Sequence, residues 1–467
     1  MFFGRWNLLG LSPDAALYAG LSLKVHQSSE FWFLTASQNF FPHFFEHPPY
    51  FFQWGSFVLN ILGVGDGAAR AIGGIPGFLG FMALVSWSFL RLGFSRTLVL
   101  VIMLLSFGHY TKYATTTMME GPLSLGVVLA MIGVVEFIYL GAREKFPYLL
   151  CALGCMISVA SKGVAGLGAF GAIVLTLLLI RSLTHLRFSL KSSVVLLCLC
   201  LFFSLLPLGV WALATHPIYG FAHSGDQPWY FMEYFQQQVL RSFTSNRGSD
   251  LHSVTGSRWL YFQVILKYGW PWWWTVPMGY FYLYKKRLLL HLNLPVFSIW
   301  AFASFACFLS FFVPFSLSTF QLPHYIHPVY LPLAPVGAVF VHYVLNKFSS
   351  AFLGFLERKW CLPLLALLLL VFMFSFYRGV SKSSNRGQDF IEVSELVNSS
   401  KPECEVVLES KDMDAYRMES FSLWYFRGRN WSRVDSLDLN SKSSEDRLIW
   451  YPQSHRDLRM VVGKNCQ

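Results

Sequence analysis

Ser193-Val194-Val195-Leu196-Leu197-Cys198-Leu199-Cys200-Leu201-Phe202-Phe203-Ser204-Leu205-Leu206-Pro207-Leu208-Gly209-Val210-Trp211-Ala212-Leu213 runs without one Asp, Glu, Lys or Arg. A helix needs about 20 predominantly apolar residues to cross the hydrocarbon of a bilayer, and this stretch meets that length. Further apolar runs lie at roughly 71–90, 97–115, 121–140, 147–161, 163–180, 259–284, 295–315, 328–345 and 360–377, several of them short enough that their ends are soft. Of 467 residues, 54% are hydrophobic and only 13% charged, and the mean hydropathy is positive, too apolar for a water-soluble fold of this length. The expected fold class is a polytopic α-helical membrane protein with about ten spans.

The net charge of +11 does not point to nucleic acid, because Lys and Arg fall in short clusters between apolar runs, as the positive-inside rule requires. With residue 1 outside, basic clusters occupy every second loop: Arg91 and Arg96; Arg143 and Lys145; Arg181, Arg187 and Lys191; Lys285, Lys286 and Arg287; Lys347, Arg358 and Lys359. The loops between them carry Asp14 and Glu46, then Glu120, then Lys162, then 214–258 and 316–327. Five loops thus bring acids, bases, prolines and aromatics to one face, where a single non-cytoplasmic site is expected. Met1 to Gly10 lacks the basic and apolar regions of a cleavable signal, so the chain either begins outside the membrane or lacks a first span in this sequence.

Three regions follow. Residues 1–70, mixed and aromatic, read as a first outer loop with interfacial helices. Residues 71–380 form the bundle, with outer loops near 116–121, 214–258 and 316–327. Residues 381–467 are charged, with alternating runs at Cys404–Leu408 and Leu448–Tyr451 and a helical stretch at Phe390–Val397, and read as a small extramembrane α/β domain. Six of the eight cysteines lie in or beside apolar runs, and no Cys and His grouping has zinc spacing. Cys404 and Cys466 lie in polar sequence, and whether they pair stays open.

In the first loop, Phe44-Phe45-Glu46-His47-Pro48-Pro49-Tyr50 stands out. Two prolines cannot continue a helix and hold the preceding residue extended, so Glu46 and His47 sit on a kinked, non-helical stretch. A carboxylate and an imidazole among aromatics are costly to leave unpaired, which favours chemistry over packing. The alternative is a Pro-Pro turn in an interfacial aromatic belt.

Five loop motifs together resemble one family. Ser12-Pro13-Asp14-Ala15-Ala16-Leu17-Tyr18-Ala19, Phe45-Glu46-His47-Pro48-Pro49, Met119-Glu120-Gly121-Pro122-Leu123, Ser161-Lys162-Gly163 and Gln321-Leu322-Pro323-His324-Tyr325-Ile326-His327-Pro328 are similar to outer-loop motifs of GT-C membrane glycosyltransferases that use polyprenyl-phosphate sugars. More narrowly, the first of these motifs is similar to that of the aminoarabinose transferase and protein mannosyltransferase relatives, and the resemblance runs from about residue 11 to 345. Where that family has a second acid, a lysine before Pro-Pro, an aspartate and a lysine before Leu-Pro, this chain has Ala15, His47, Glu120 and Gln321.

The resemblance implies transfer of a monosaccharide from a polyprenyl-phosphate donor to a lipid, glycan or protein acceptor, with inversion, on the periplasmic face of a bacterial inner membrane. Modification of lipid A or another glycan falls within it, and membrane lipids are the surroundings. Asp14 is expected to be the base that takes the acceptor's proton, with Glu46 its partner. Donor-phosphate contacts are expected from His47, Arg70, Lys162, Arg241, Gln321, His324 and Tyr325, since cations stabilise the anionic leaving group. Tyr18, Glu120 and His327 are expected to hold the acceptor or shape the site. Individual alternatives stand beside these: a turn residue for Asp14, headgroup snorkelling for Arg241, a helix-end charge for Lys162 and solvent-facing loop positions for His324 and His327. No cofactor and no metal are predicted; a divalent ion at Asp14 and Glu46 stays open. The alternative functions are a protein O-mannosyltransferase and, in a different class, a transporter or flippase for a lipid-linked sugar, for which inverted repeats would speak.

Overall fold

The computed structural model describes residues 11–28, 31–36, 43–114, 116–141, 143–183, 189–222, 228–244, 259–268, 274–285, 296–318, 321–356, 397, 405–409, 420–421, 423–425, 431–434, 447–452 and 458–462. The helices are α1 (Pro13–Ser28), α2 (Tyr50–Leu62), α3 (Asp66–Leu92), α4 (Phe94–Ser106), α5 (Gly108–Tyr113), α6 (Glu120–Leu140), α7 (Phe146–Lys162), α8 (Gly168–Leu183), α9 (Leu190–Ala214), α10 (Tyr230–Tyr234), α11 (Arg241–Phe243), α12 (Leu260–Tyr268), α13 (Thr275–Lys285), α14 (Val296–Leu317) and α15 (Tyr330–Leu356). Single 3-10 stretches at Gly163–Leu167 and Pro323–Val329 lead into α8 and α15, and a π-helical turn, Phe235–Leu240, joins α10 to α11.

Among the described residues, six helical stretches are long and apolar enough to cross a membrane: Asp66–Leu92, Glu120–Leu140, Phe146–Leu183, Leu190–Ala214, Val296–Leu317 and Pro323–Lys347. In hydrocarbon every backbone polar group must be satisfied within the chain, which is why apolar runs of this length become helices. The runs expected at 71–90, 121–140, 193–213, 295–315 and 328–345 fall in α3, α6, α9, α14 and α15.

The third stretch is two helices folded back on each other, as the runs at 147–161 and 163–180 suggested. On the α6–α7 seam Gly133 meets Pro147 and Cys151, Gly126 meets Gly154 and Ser158, and Glu120 meets Lys162, so the two helices are antiparallel. At the other end of α6, Trp87 and Arg91 of α3 bond Glu136, and Trp87 stacks on Trp300 near the start of α14 with ring centroids 4.2 Å apart. The far end of α14 reaches α8, where Ser310 Oγ donates to the carbonyl of Gly168 at 2.8 Å. Thus α8 runs opposite to α7, and the chain reverses at Gly163, whose φ of +60° is open to glycine without strain.

Three expectations change. The 97–115 run breaks at Phe107, extended at φ −86° and ψ 94°, into α4 and the short α5. The 259–284 run divides into α12 and α13, with Pro271 in the sequence between them. Arg91, expected in a loop, occupies the last turn of α3 and pairs with Glu136 at 2.5 Å. The 360–377 run, most of Phe390–Val397, Cys404 and Cys466 lie outside the described residues.

Towards the C-terminus, β1 (Glu405–Glu409), β2 (Trp431–Val434), β3 (Arg447–Pro452) and β4 (Leu458–Val462) form one mixed sheet in the order β2-β1-β3-β4. β1 pairs in parallel with β2 and β3, with Val407 opposite Ser432 and Ile449, and β4 closes the edge antiparallel to β3. β1 holds residues 405–408 of the first alternating run, and β3 holds the run at 448–451.

Candidate functional site

Three elements meet where α6 begins and α7 ends. Glu120 is the first residue of α6 and Lys162 the last of α7, and the antiparallel glycine seam brings their side chains together. Both are buried, 1% and 6% exposed, and Lys162 Nζ donates to Glu120 Oε1. A buried charge is tolerated when paired and further bonded, and this pair has company on both sides. His324 Nε2 lies 3.7 Å from the same Oε1, and Lys162 Nζ stands 4.3 Å from the ring centre of Tyr325 in a cation–π contact.

His324 and Tyr325 come from the Pro323–Val329 turn that leads into α15. Both histidines of this turn are buried rather than solvent-facing, because the turn packs on α5 and α6. His327 is used structurally: its Nδ1 is 3.1 Å from Ser124 Oγ and its Nε2 3.1 Å from the Tyr110 carbonyl.

Lys162 and Tyr325 also border a cavity of about 710 Å³ together with Glu46 and His47. The 43–49 stretch is non-helical as expected, and α2 begins directly after Pro49, whose carbonyl accepts from Phe52 and Gln53. His47 Nε2 is 3.2 Å from the hydroxyl of Tyr18 on α1. Four residues before Tyr18, Asp14 is half-buried in the first turn of α1 and is not among the cavity-lining residues.

The cavity is polar at one end and apolar at the other. Glu46, His47, Lys162, Gln238, Ser242, Ser318 and Tyr325 make the polar end; Leu175, Leu309, Phe311, Val313 and Phe315 wall the rest, between α8 and α14. Phe311 packs its ring directly on Gly168, and Gly171 presents no side chain to the groove.

Tyr234 locks the corner. Its hydroxyl accepts from the Val164 amide at 2.8 Å, and a Cβ on Gly163 would run into the same oxygen. Burial pushes this hydroxyl up to about 12, against the ordinary 10, so it stays a neutral hydrogen-bonding group. Tyr50, at the start of α2, is likewise raised by burial and donates to the Pro207 carbonyl of α9 at 2.7 Å.

The remaining expected phosphate contacts lie elsewhere. Arg241 is exposed and is not among the cavity-lining residues; its helix turns Tyr234, Gln238 and Ser242 inward instead. That four-residue spacing within the Gln236–Phe243 stretch was the readable signal for Gln238 and Ser242. Gln321 is buried, and its Nε2 donates to the carbonyls of Ser316 and Ser318 at 3.1 and 3.0 Å, capping the end of α14. Arg70, buried in α3, sits beside Asp66 and Tyr425. Among the described residues no three His, Cys, Asp or Glu side chains gather as a metal ion would need.

No protein-family profile matches the chain, and no curated protein matches it. Solved structures do. The crystal structure of ArnT from Cupriavidus metallidurans bound to undecaprenyl phosphate aligns with a TM-score of 0.63 at 16% identity, over 94% of this chain and 84% of that one. Its apo form aligns with a TM-score of 0.63 at 14% identity, over 97% and 90%. The archaeal oligosaccharyltransferase AglB from Archaeoglobus fulgidus, in complex with an inhibitory peptide and a dolichol-phosphate, aligns with a TM-score of 0.56 at 11% identity, over 91% of this chain and 60% of that one. This chain is a multi-pass membrane protein with the GT-C fold of these structures.

Proposed function

From that shared fold we propose that the protein is an inverting glycosyltransferase that takes a monosaccharide from a polyprenyl-phosphate donor. The observation that carries the reading is the amphiphilic cavity: a polar end at Glu46, His47, Lys162 and Tyr325 continuous with an apolar groove between α8 and α14. A lipid phosphate has that shape and polarity. Two of the similar structures hold a polyprenyl or dolichyl phosphate, which agrees with the same class of carrier here.

In the reaction, the acceptor hydroxyl oxygen bonds to the anomeric carbon as the bond from that carbon to the phosphate oxygen breaks. The electron pair leaves with the phosphate, and the hydroxyl proton goes to the Asp14 carboxylate. Lys162, held by Glu120 and Tyr325, faces the growing negative charge on the leaving phosphate, and a fixed donor in a water-poor cleft stabilises it without reorganisation. His47, oriented by Tyr18, and Tyr325 complete the polar end. Glu46 lines the same end and orients the acceptor. Arg70 and Arg241 contribute at most from outside this cavity, and the acceptor is a lipid, glycan or protein reaching the site from the periplasmic side of a bacterial inner membrane.

The test is a proteoliposome assay with a panel of undecaprenyl-phosphate hexoses and aminopentoses plus bacterial envelope lipid as acceptor, read by mass spectrometry. Wild type releases undecaprenyl phosphate and glycosylates the acceptor, and Asp14→Asn, which keeps the shape of the side chain, does neither. Full transfer by Asp14→Asn overturns the base assignment. Movement of intact donor across the bilayer without release of undecaprenyl phosphate favours the flippase.

A further inference from the structure

A short helical piece near the C-terminus, residues 420–421 and 423–425, is packed against α1, α2 and the start of α3, far from them in sequence. Tyr425 accepts a hydrogen bond on its hydroxyl from the backbone N–H of Leu11 at 2.9 Å, 414 residues away. The same hydroxyl is 3.4 Å from Asp66 Oδ2, and Trp424 Nε1 donates to Asp66 Oδ1 at 2.9 Å. Asp66 opens α3, where its carboxylate also complements the helix dipole. Leu423 packs on Gly20 of α1 so closely that a Cβ there would collide with the leucine side chain. Phe421, Leu423, Trp424 and Tyr425 are all buried in one cluster with α1, α2 and the start of α3.

Each partner on the bundle side bears on Asp14. Leu11 stands three residues before it, just ahead of α1, and Gly20 lies on the same helix six residues after it. A buried N–H needs an acceptor, and the Tyr425 hydroxyl supplies one at the point where the chain enters α1. Asp66 bonds both aromatic side chains from α3, so the C-terminal segment ties the start of α1 to α3, beside the packing of α1 on α2.

We propose that residues 420–421 and 423–425 are a clasp that sets the position of Asp14, with Tyr425 and Trp424 as positioning residues acting through Leu11, Asp66 and Gly20. The proposal rests on the reading of Asp14 as the base and adds that the C-terminal region takes part in the reaction without touching substrate. A base must sit within hydrogen-bond reach of the proton it takes, and small displacements of such a group carry large rate costs.

The experiment uses full-length protein in proteoliposomes with the panel donor that wild type consumes fastest. Tyr425→Phe keeps the ring and removes the acceptor of the Leu11 amide; Asp66→Asn keeps the shape and weakens both aromatic contacts. The expected result has two parts. Amide hydrogen exchange over residues 11–20 speeds up in both variants while exchange in α6 and α7 is unchanged. kcat falls about tenfold with KM for the donor within about twofold, and the acid limb of the kcat profile moves, as displacement of a base requires. Unchanged exchange over 11–20 overturns the clasp. Faster exchange with unchanged kcat and acid limb, or a fall in kcat that only tracks the loss of folded protein, overturns the positioning role. Failure of the underlying reading shows separately, as transfer retained by Asp14→Asn.

Discussion

Glu120 and Lys162 are 42 residues apart in the chain and form an ion pair buried where α6 begins and α7 ends, with His324 behind the carboxylate and Tyr325 beneath the ammonium. The pair is the joint between the helix bundle and the cavity, since Lys162 belongs to both.

Lys162→Met leaves the Glu120 carboxylate buried without its cation, and breaking a buried pair from one side costs about 3–5 kcal/mol. Thermal unfolding in detergent should show that loss. The Glu120→Gln/Lys162→Met double variant removes both charges and should recover most of the stability, while transfer in proteoliposomes stays absent.

The seam beneath the pair depends on missing side chains. A Cβ on Gly126 would meet Ser158 and the Gly154 backbone, so Gly126→Val should cost at least the ~1–3 kcal/mol of overpacking and lower the folded yield on size-exclusion chromatography. Gly209 in α9 has nothing within 4 Å of that position, so Gly209→Ala should be neutral or stabilise by up to about 1 kcal/mol.

The cavity predicts its own blockade. Gly171 lines the groove, and a Cβ there meets only the Ser310 side chain, at 3.3 Å. Gly171→Leu needs Ser310 to give by a few tenths of an ångström, and in the variant that folds, checked by size-exclusion chromatography, inhibition by undecaprenyl phosphate should weaken at least tenfold, or about 1.4 kcal/mol, in the transfer assay.

Alkaline pH offers a test of the Tyr234 corner. A hydroxyl raised from 10 to about 12 by burial contributes stability that is fully present below pH 10 and lost as pH rises through 12. Two units correspond to about 2.7 kcal/mol, so Tyr234→Phe should reduce the fall in unfolding free energy between pH 10 and 12 by up to that order. An identical fall in both proteins would rule out the buried, bonded hydroxyl.

The apolar runs that became long helices among the described residues were legible because hydrocarbon leaves the backbone no other solution. The kinked 43–49 stretch was legible because two prolines act locally. Less readable was everything set by register between helices. That Lys162 would be spent on Glu120, that Gln321 would cap α14 and that Arg241 would turn away while Gln238 and Ser242 turn inward all follow from which face meets a neighbour, and a run of letters in an apolar chain does not carry that. His324 and His327 read as loop residues because their turn is polar and proline-rich, yet it is pressed inward against α5 and α6. The contact of Tyr425 with Leu11 spans nearly the whole chain, and no local pattern announces it.

The α6 helix carries an acid at each end, and each is answered by a basic residue from a neighbouring helix: Glu120 by Lys162 and Glu136 by Arg91. Sixteen residues separate the two acids, about 24 Å of helix rise. Bilayer hydrocarbon is about 30 Å thick. Two pairs that close together fit inside that thickness, so each acid of α6 enters hydrocarbon only as part of a pair. The pairing therefore ties α3 and α7 to whatever depth α6 takes, so the three helices must shift in the membrane as one.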